Sequence, residues 1–325
     1  MEELKFRMAA RCEAAGRPNN EDNYQLCEAL DDGKWGFETD REAVLGDKGC
    51  LLVVADGMGG MNAGEVASAL AIETIKEWFS AEKLNGEVVA SAESIERHIV
   101  DAIVAADARI KKESAADKEK EGMGSTIVLA WVIDGHVYVG WCGDSRAYRF
   151  NPETGLESLS RDHSYVQELV DAGKLAPELA FDHPNNNIIT RSLGDPSKKA
   201  QPDVKRFPLR AGDIVMLCSD GLSGVLHDHE IATVIAENSE TLATCRDALW
   251  HASEYIGWND NVTVELFQAL SIAEQEQEQE SEKADGSGQE KLAITAEITA
   301  PTAQQPESSD DEVEKKGFFK RLFGK

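Results

Sequence analysis

The sequence predicts an α+β domain in which antiparallel sheets pack on one another beneath a cover of helices. Three observations carry that expectation. Strand-like apolar runs come in groups, most densely over residues 125–160. Helical periodicities come in pairs, one pair after Ala63 and one after Asp228, where a regular βαβ winding would alternate strand and helix throughout. The dipeptide Asp134-Gly135 between two apolar runs is a two-residue hairpin signal, which makes its neighbours antiparallel.

Taken in order, residues 6–10 and 24–27 are strands around a polar loop, and residues 31–48 form a long charged excursion without a period. The apolar run 51–55 is a short buried strand. From Ala63, residues Val66, Leu70, Ile72, Ile75 and Phe79 recur at helical spacing. A second helix over 94–112 carries the stripe Ile95, Ile99, Ile103, Ala106 and Ile110. Residues 125–133 and 137–142 are strands joined at Gly135, and 147–150 pairs with 156–160 across NPETG. A helix (VQELVDAGKL) and a Pro- and Asn-containing loop fill 164–187 as an excursion from the sheets. Residues 204–207 and 214–218 are strands, two helices follow over 228–238 and 241–255, and the strand 262–267 closes the body.

Length and composition set the frame. At 325 residues the chain can bury one large core with extras. A net charge of −27 argues against nucleic acid as a partner, because phosphate backbones require clustered Lys and Arg. An acidic protein that handles anions needs local positive charge from arginines or bound cations. The six cysteines (Cys12, Cys27, Cys50, Cys142, Cys218, Cys245) lack CxxC spacing and read as reduced core residues. No apolar run reaches the ~18 residues that span a bilayer, and MEELKFRMAARCEAAG has no apolar signal-peptide core. The expected compartment is the cytoplasm.

The sequence divides into a body (1–270), an acidic, disordered linker (271–314) rich in Glu, Gln, Ser, Thr and Pro, and a basic amphipathic segment (315–325), KKGFFKRLFGK. In a helix, Phe318 and Phe319 with Leu322 and Phe323 would oppose Lys320 and Arg321. So short a helix folds only on a surface, either an anionic membrane or a partner's groove.

The chemistry starts from residues 51–60, LLVVADGMGG. An apolar strand delivers Asp56 to its end and then turns through Gly57, Gly59 and Gly60, where backbone can approach a ligand. Alone, this is an ordinary turn. The construction recurs: Asp220 follows an apolar run and precedes Gly221, Asp144 lies behind Gly143, Asp260 precedes the last strand, and Glu21 and Asp22 precede the second. Antiparallel packing could bring these strand ends together. Converging carboxylates are tolerable only when cations neutralise them. Oxygen ligands without clustered His or Cys select Mg²⁺ or Mn²⁺. Two such ions about 4 Å apart orient a phosphate for in-line attack by hydroxide. Arg17, in the loop before Glu21, is placed to reach a phosphoryl oxygen.

The ordered series RPNNED, VVADGMGG, GMGST, GDSR, SRDHS, ITRSLGD, CSDGL and DNVTV, over roughly residues 5–268, resembles the metal-dependent PP2C-type protein serine/threonine phosphatases in their bacterial form. The resemblance implies a four-layer fold, a central antiparallel β-sandwich flanked by helix pairs. It implies hydrolysis of phosphoserine and phosphothreonine in proteins by a hydroxide bridging two Mn²⁺ or Mg²⁺ ions, opposing a bacterial kinase. Carried over by position, Asp56 bridges the ions, the Gly57 carbonyl joins one, and Asp220 and Asp260 ligate the other. Glu21 and Asp22 act through metal-bound water, Arg17 binds the substrate phosphate, and Asp144 with Asp220 holds a third, weaker ion. Residues 162–190 match the flap beside the active site, an implied determinant of which phosphoprotein docks. The implied catalytic domain is monomeric.

Met58 stands where many eukaryotic members have a His that protonates the leaving alkoxide, and Met cannot donate a proton. Metal-bound water or the flap residue His163 is left for that role. Two other functions compete. A catalytically silent phosphoprotein-binding module would have lost metal ligands, yet every expected carboxylate is present. A nucleotide-binding enzyme using DGMGG would need a GxxxxGK[ST] motif, and the chain has none.

Overall fold

The structure, a computed structural model, describes residues 3–59 and 63–271. Gly60, the linker past Ser271 and the basic segment 315–325 lie outside the described residues. The elements in chain order are β1 (Lys5–Glu13), β2 (Asp22–Ala29), β3 (Lys34–Trp35), β4 (Ala43–Val44), β5 (Cys50–Met58), α1 (Ala63–Trp78) and α2 (Ala92–Ala116). Strands β6 (Gly124–Ser125), β7 (Ile127–Ile133), β8 (His136–Cys142), β9 (Arg146–Asn151) and β10 (Gly155–Ser158) follow, then α3 (Tyr165–Asp171). The body closes with β11 (Asp203–Pro208), β12 (Ile214–Cys218), α4 (Asp220–Ser223), α5 (Asp228–Asn238), α6 (Leu242–Ile256) and β13 (Val262–Ser271).

Two sheets result, in the orders β10-β9-β12-β13-β1-β4 and β11-β8-β7-β5-β2-β3, and every ladder between these strands is antiparallel. The unbroken apolar run of β5 is explained by burial on both faces. Leu51, Val53 and Ala55 face the α1/α2 layer with Ile75, Ile99 and Ile103. Cys50, Leu52 and Val54 face the other sheet, where Phe6, Met8 and Phe267 complete the inter-sheet core. Helices α5 and α6 cover the opposite side, α6 against β1 and β13. The four-layer expectation holds.

Helix α2 buries the stripe Ile95, Ile99, Ile103, Ala106 and Ile110 as read from its period. Its start is fixed by Ser91, whose Oγ accepts from the Ser94 amide at 3.2 Å. Helix α1 differs in detail. Val66 and Leu70 are only half-buried, and the face against β5 is centred on Ala67, Ala71 and Ile75, small residues that let the helix axis approach the strand.

Residues 31–48 are more than a surface excursion. They supply β3 at the edge of one sheet and β4 at the edge of the other. Phe37 and Leu45 pack on the inter-sheet core. Asp40, at φ 59°, accepts from the Leu242 amide at 2.7 Å and so caps α6. The closing strand also runs to Ser271, four residues beyond the expected 267, where Ser271 pairs with Lys5.

Antiparallel alternation decides where function sits. The C-terminal ends of β1, β5, β8 and β12 and the N-terminal ends of β2, β7 and β13 all reach the same end of the sandwich. Deeper between the sheets lies Glu265, fully buried, with neither side-chain oxygen in a hydrogen bond. Burial drives its pKa well above the ordinary carboxyl range, with only the Val53 backbone opposing.

Candidate metal centre

Asp56 on β5 lies directly across from Asp22 on β2 in the ladder register, which sets two carboxylates side by side on the inter-sheet face. Asp22 is held from the opposite sheet: its Oδ2 accepts from Ser219 Oγ at 2.7 Å and from Thr263 Oγ1 at 2.6 Å. The Asp56 backbone is clamped by Thr126, whose amide donates to the Asp56 carbonyl at 2.8 Å and whose Oγ1 accepts from the Asp56 amide at 3.1 Å. Thr126 Oγ1 also meets Ser145 Oγ at 2.7 Å, tying the Asp56 turn to the loop that carries Asp144.

Asp144 follows Gly143, which adopts φ 129° against Thr126; a Cβ there would stand 2.6 Å from the Thr126 Cβ. Asp220 is the first residue of the single-turn helix α4 and not a strand terminus. Asp260 sits before β13, its Oδ2 accepting from Arg17 Nη2 at 2.8 Å, while Arg17 Nε donates to the Asn259 carbonyl at 2.8 Å. Glu21 is placed by Asn261, whose Oδ1 accepts from the Glu21 amide at 2.8 Å and whose Nδ2 donates to the carbonyls of Ala14 and Asn19. At Gly57 a Cβ would lie 2.1 Å from the Gly64 carbonyl oxygen, so glycine is required by the close approach of the α1 start.

The electrostatics are those of a crowded acidic site. Burial first, then the charges of Asp220, Asp22, Asp144 and Asp260, drive the Asp56 pKa well above its usual value. Burial raises Asp22 to about 7, with Asp220 and Asp260 adding and the Thr263 and Ser219 hydroxyls opposing. Asp144 is pushed to about 8 by burial, Asp220 and Asp162. Asp220 rises to about 6, mainly through burial and Asp260. Glu21 is raised by burial and by Asp260 and Glu65 against Arg17.

Divalent cations fit this environment. Asp144 Oδ1 and Asp220 Oδ1 are buried without a hydrogen-bond partner, and unpaired carboxylate oxygens are costly unless a cation takes them. The donors are all oxygen, the set that suits Mg²⁺ and Mn²⁺. Among the described residues no three acidic, His or Cys side chains are set to enclose one ion unaided. Water and backbone carbonyl therefore have to complete any coordination.

All the acidic residues singled out in the sequence thus come to one end of the sandwich, and Arg17, Asp144, Asp220 and Asp260 line a cleft of about 1010 Å³ with Arg146 and His227. His163 does not line it. Its Nδ1 accepts from the Gly143 amide at 3.1 Å, its Nε2 contacts Asp203 Oδ2 at 3.1 Å, and its ring stacks on Trp141, so it braces the Asp144 loop. Met58 pairs with Gly124 at the end of β5 and brings no donor. Sequence reasoning missed Ser219, Thr263, Thr126 and Asn261, the residues that orient the carboxylates. Each nevertheless lies inside a quoted run, Ser219 in CSDGL, Asn261 and Thr263 in DNVTV and Thr126 in GMGST.

A family model described as protein phosphatase 2C matches residues 38–254. The chain belongs to the protein phosphatase 2C family. This PP2C member is 32% identical over 223 residues to the serine/threonine phosphatase Stp of Listeria innocua, covering 68% of this chain and 85% of that one. Among solved structures it resembles serine/threonine phosphatase Stp1 from Staphylococcus aureus, with a TM-score of 0.70 and 30% identity over 84% of this chain and 98% of that chain. It also resembles the catalytic domain of the phosphatase PstP in complex with 2 manganese ions, with a TM-score of 0.64 and 29% identity over 82% of this chain and 100% of that chain.

Proposed function

We infer that the chain is a metal-dependent protein serine/threonine phosphatase using Mn²⁺ or Mg²⁺. The observation that carries this reading is the convergence of Asp22, Asp56, Asp144, Asp220 and Asp260 at one end of the sandwich, with raised proton affinities at the first four and orphaned oxygens on Asp144 and Asp220, beside Arg17 at the lip of a cleft. A silent binding module is disfavoured because every expected carboxylate is present.

Asp56, the Gly57 carbonyl, Asp220 and Asp260 would hold two ions, with Glu21 and Asp22 engaged through water, and Asp144 with Asp220 would hold a third. When bound, the cations supply Lewis acidity that activates water and offsets charge on the phosphoryl group. Arg17 binds the phosphate: Asn259 and Asp260 occupy two of its five donors and fix its direction, leaving the others for phosphoryl oxygens. In the reaction a water oxygen bonds to phosphorus, the bond to the serine or threonine oxygen breaks, and the alcohol departs with a proton. Neither Met58 nor the braced His163 is placed to deliver that proton.

The deciding experiment measures phosphate release from phosphothreonine and phosphotyrosine peptides, with Mn²⁺ and with a chelator. Turnover of phosphothreonine that disappears with the chelator supports the reading; metal-independent turnover, or a preference for phosphotyrosine, overturns it.

The substrates are phosphorylated proteins, and no described helix is long and apolar enough to cross a membrane. We propose the basic segment 315–325 as a peripheral docking element, with the enzyme otherwise cytoplasmic and its catalytic domain monomeric. Deleting it should abolish sedimentation with anionic liposomes while small-substrate turnover stays constant. Equal sedimentation of the two chains removes the membrane and leaves a protein groove.

A further inference from the structure

Between β10 and β11 the chain leaves the sheets through α3 and a long loop, then returns at the Ser164–Ile189 bridge. Most of residues 171–188 are exposed, but Phe181 is half-buried. Its ring stacks on His227, with centroids 3.8 Å apart and planes at 28°. The Phe181 turn is itself held by Asn186, whose Nδ2 donates to the Phe181 carbonyl at 2.8 Å. His227 immediately precedes α5, and its amide donates to Glu230 Oε2 at 2.8 Å. The next residue, Asp228, accepts from Tyr148 Oη at 2.8 Å, and Arg146 Nη1 donates to that hydroxyl oxygen at 2.9 Å. Arg146 also grips Asp162 at the base of the excursion through two 2.8 Å bonds. A continuous set of contacts therefore runs from the excursion's tip, through the stack and α5, to the strand that follows Asp144.

Both rings line the cleft that holds Asp144 and Asp220. We propose that the Phe181–His227 stack is a positioning device that fixes the tip of the 162–190 segment against α5 and so sets the cleft for protein substrates. The inference rests on the phosphatase reading and names the pair of side chains that holds the tip of the flap. A small phosphoester needs only the cleft floor. A phosphorylated polypeptide must also lie along the walls, and a wall already held in place spares the ordering cost of binding.

The test compares Phe181→Ala, His227→Ala, the double variant, and the ring-preserving Phe181→Tyr and His227→Phe, each checked by circular dichroism and thermal melting. With a phosphothreonine peptide, KM should rise about 3- to 10-fold in either alanine variant, the range a lost aromatic pair supports. The kcat should stay within about twofold, p-nitrophenyl phosphate turnover should be unchanged, and the double variant should be no worse than either single one, because the rings act as one unit. The ring-preserving variants should recover the parent KM. An unchanged KM, additive effects, or a parallel fall in kcat and p-nitrophenyl phosphate turnover overturns the proposal. Failure of the parent protein to hydrolyse the peptide with Mn²⁺ would instead strike the phosphatase reading itself.

Discussion

Asp56→Asn is expected to lower Mn²⁺-dependent hydrolysis of a phosphothreonine peptide by about 10³-fold or more, since metal catalysis contributes several kcal/mol and each 1.36 kcal/mol is about tenfold in rate. The fold should survive. Asp56 is fixed through its backbone, to Thr126 on both sides of the peptide, and the change leaves those bonds alone. Replacing the carboxylate also removes a charge from a site where Asp22, Asp144, Asp220 and Asp260 all raise its proton affinity. The metal-free variant should therefore melt no lower than the parent, while its catalysis is lost. Activity within about tenfold of the parent would sink the assignment of Asp56 as the bridging ligand.

The same crowding makes the stability of the metal-free protein fall as pH rises. A carboxyl whose folded pKa lies above its unfolded value binds its proton more tightly in the folded state, so its contribution is fully present below about pH 4 and is lost as pH rises through the folded pKa. For Asp22 and Asp144 that loss is centred near about 7 and 8, and Asp56 and Glu265 act in the same direction. The carboxyls with lowered pKa values, Glu93, Asp195 and Asp247, act only at about pH 4.5 and below, whereas the lowered pKa values of His98 and His163 act the other way and offset part of the fall below about pH 6.5. The metal-free Tm should thus be lower at about pH 8.5 than at about pH 5.5. Mn²⁺ competes with these protons, so its stabilisation should grow over the same interval. At a concentration about 100-fold above Kd one ion adds about 2.7 kcal/mol, or about 5 to 10 °C for a body of this size. Under saturating Mn²⁺ Glu265 remains a source of falling stability, and Glu265→Gln should reduce the slope that persists. A metal-free Tm that is level or rising with pH contradicts this picture of the site.

Much of the layer order was legible because apolar period and turn chemistry are local. The Asp134-Gly135 hairpin, the α2 stripe and the doubly buried β5 follow from short stretches of sequence. The acidic strand ends were legible for a related reason, since antiparallel alternation sends such ends to a common place. What escaped was set by tertiary contact. The function of residues 31–48 depends on an α6 amide more than two hundred positions away, which Asp40 caps. Ala67 and Ala71 outrank Val66 and Leu70 on α1 because closeness to β5, and not hydrophobicity, chooses the buried face. The orienting hydroxyls of Ser219 and Thr263 are ordinary residues in sequence, and only the meeting of two sheets makes them partners of Asp22. Only tertiary contact removes His163 as an acid, because its two ring nitrogens engage the Gly143 amide and Asp203.

The most direct test of the central claim is a titration of the metal-free protein with Mn²⁺, free ion being counted by electron paramagnetic resonance, for the parent and Asp56→Asn side by side. The account predicts at least two equivalents bound by the parent, with loss of binding in the variant despite an unaltered circular dichroism spectrum. Equal Mn²⁺ uptake by the two proteins would contradict it.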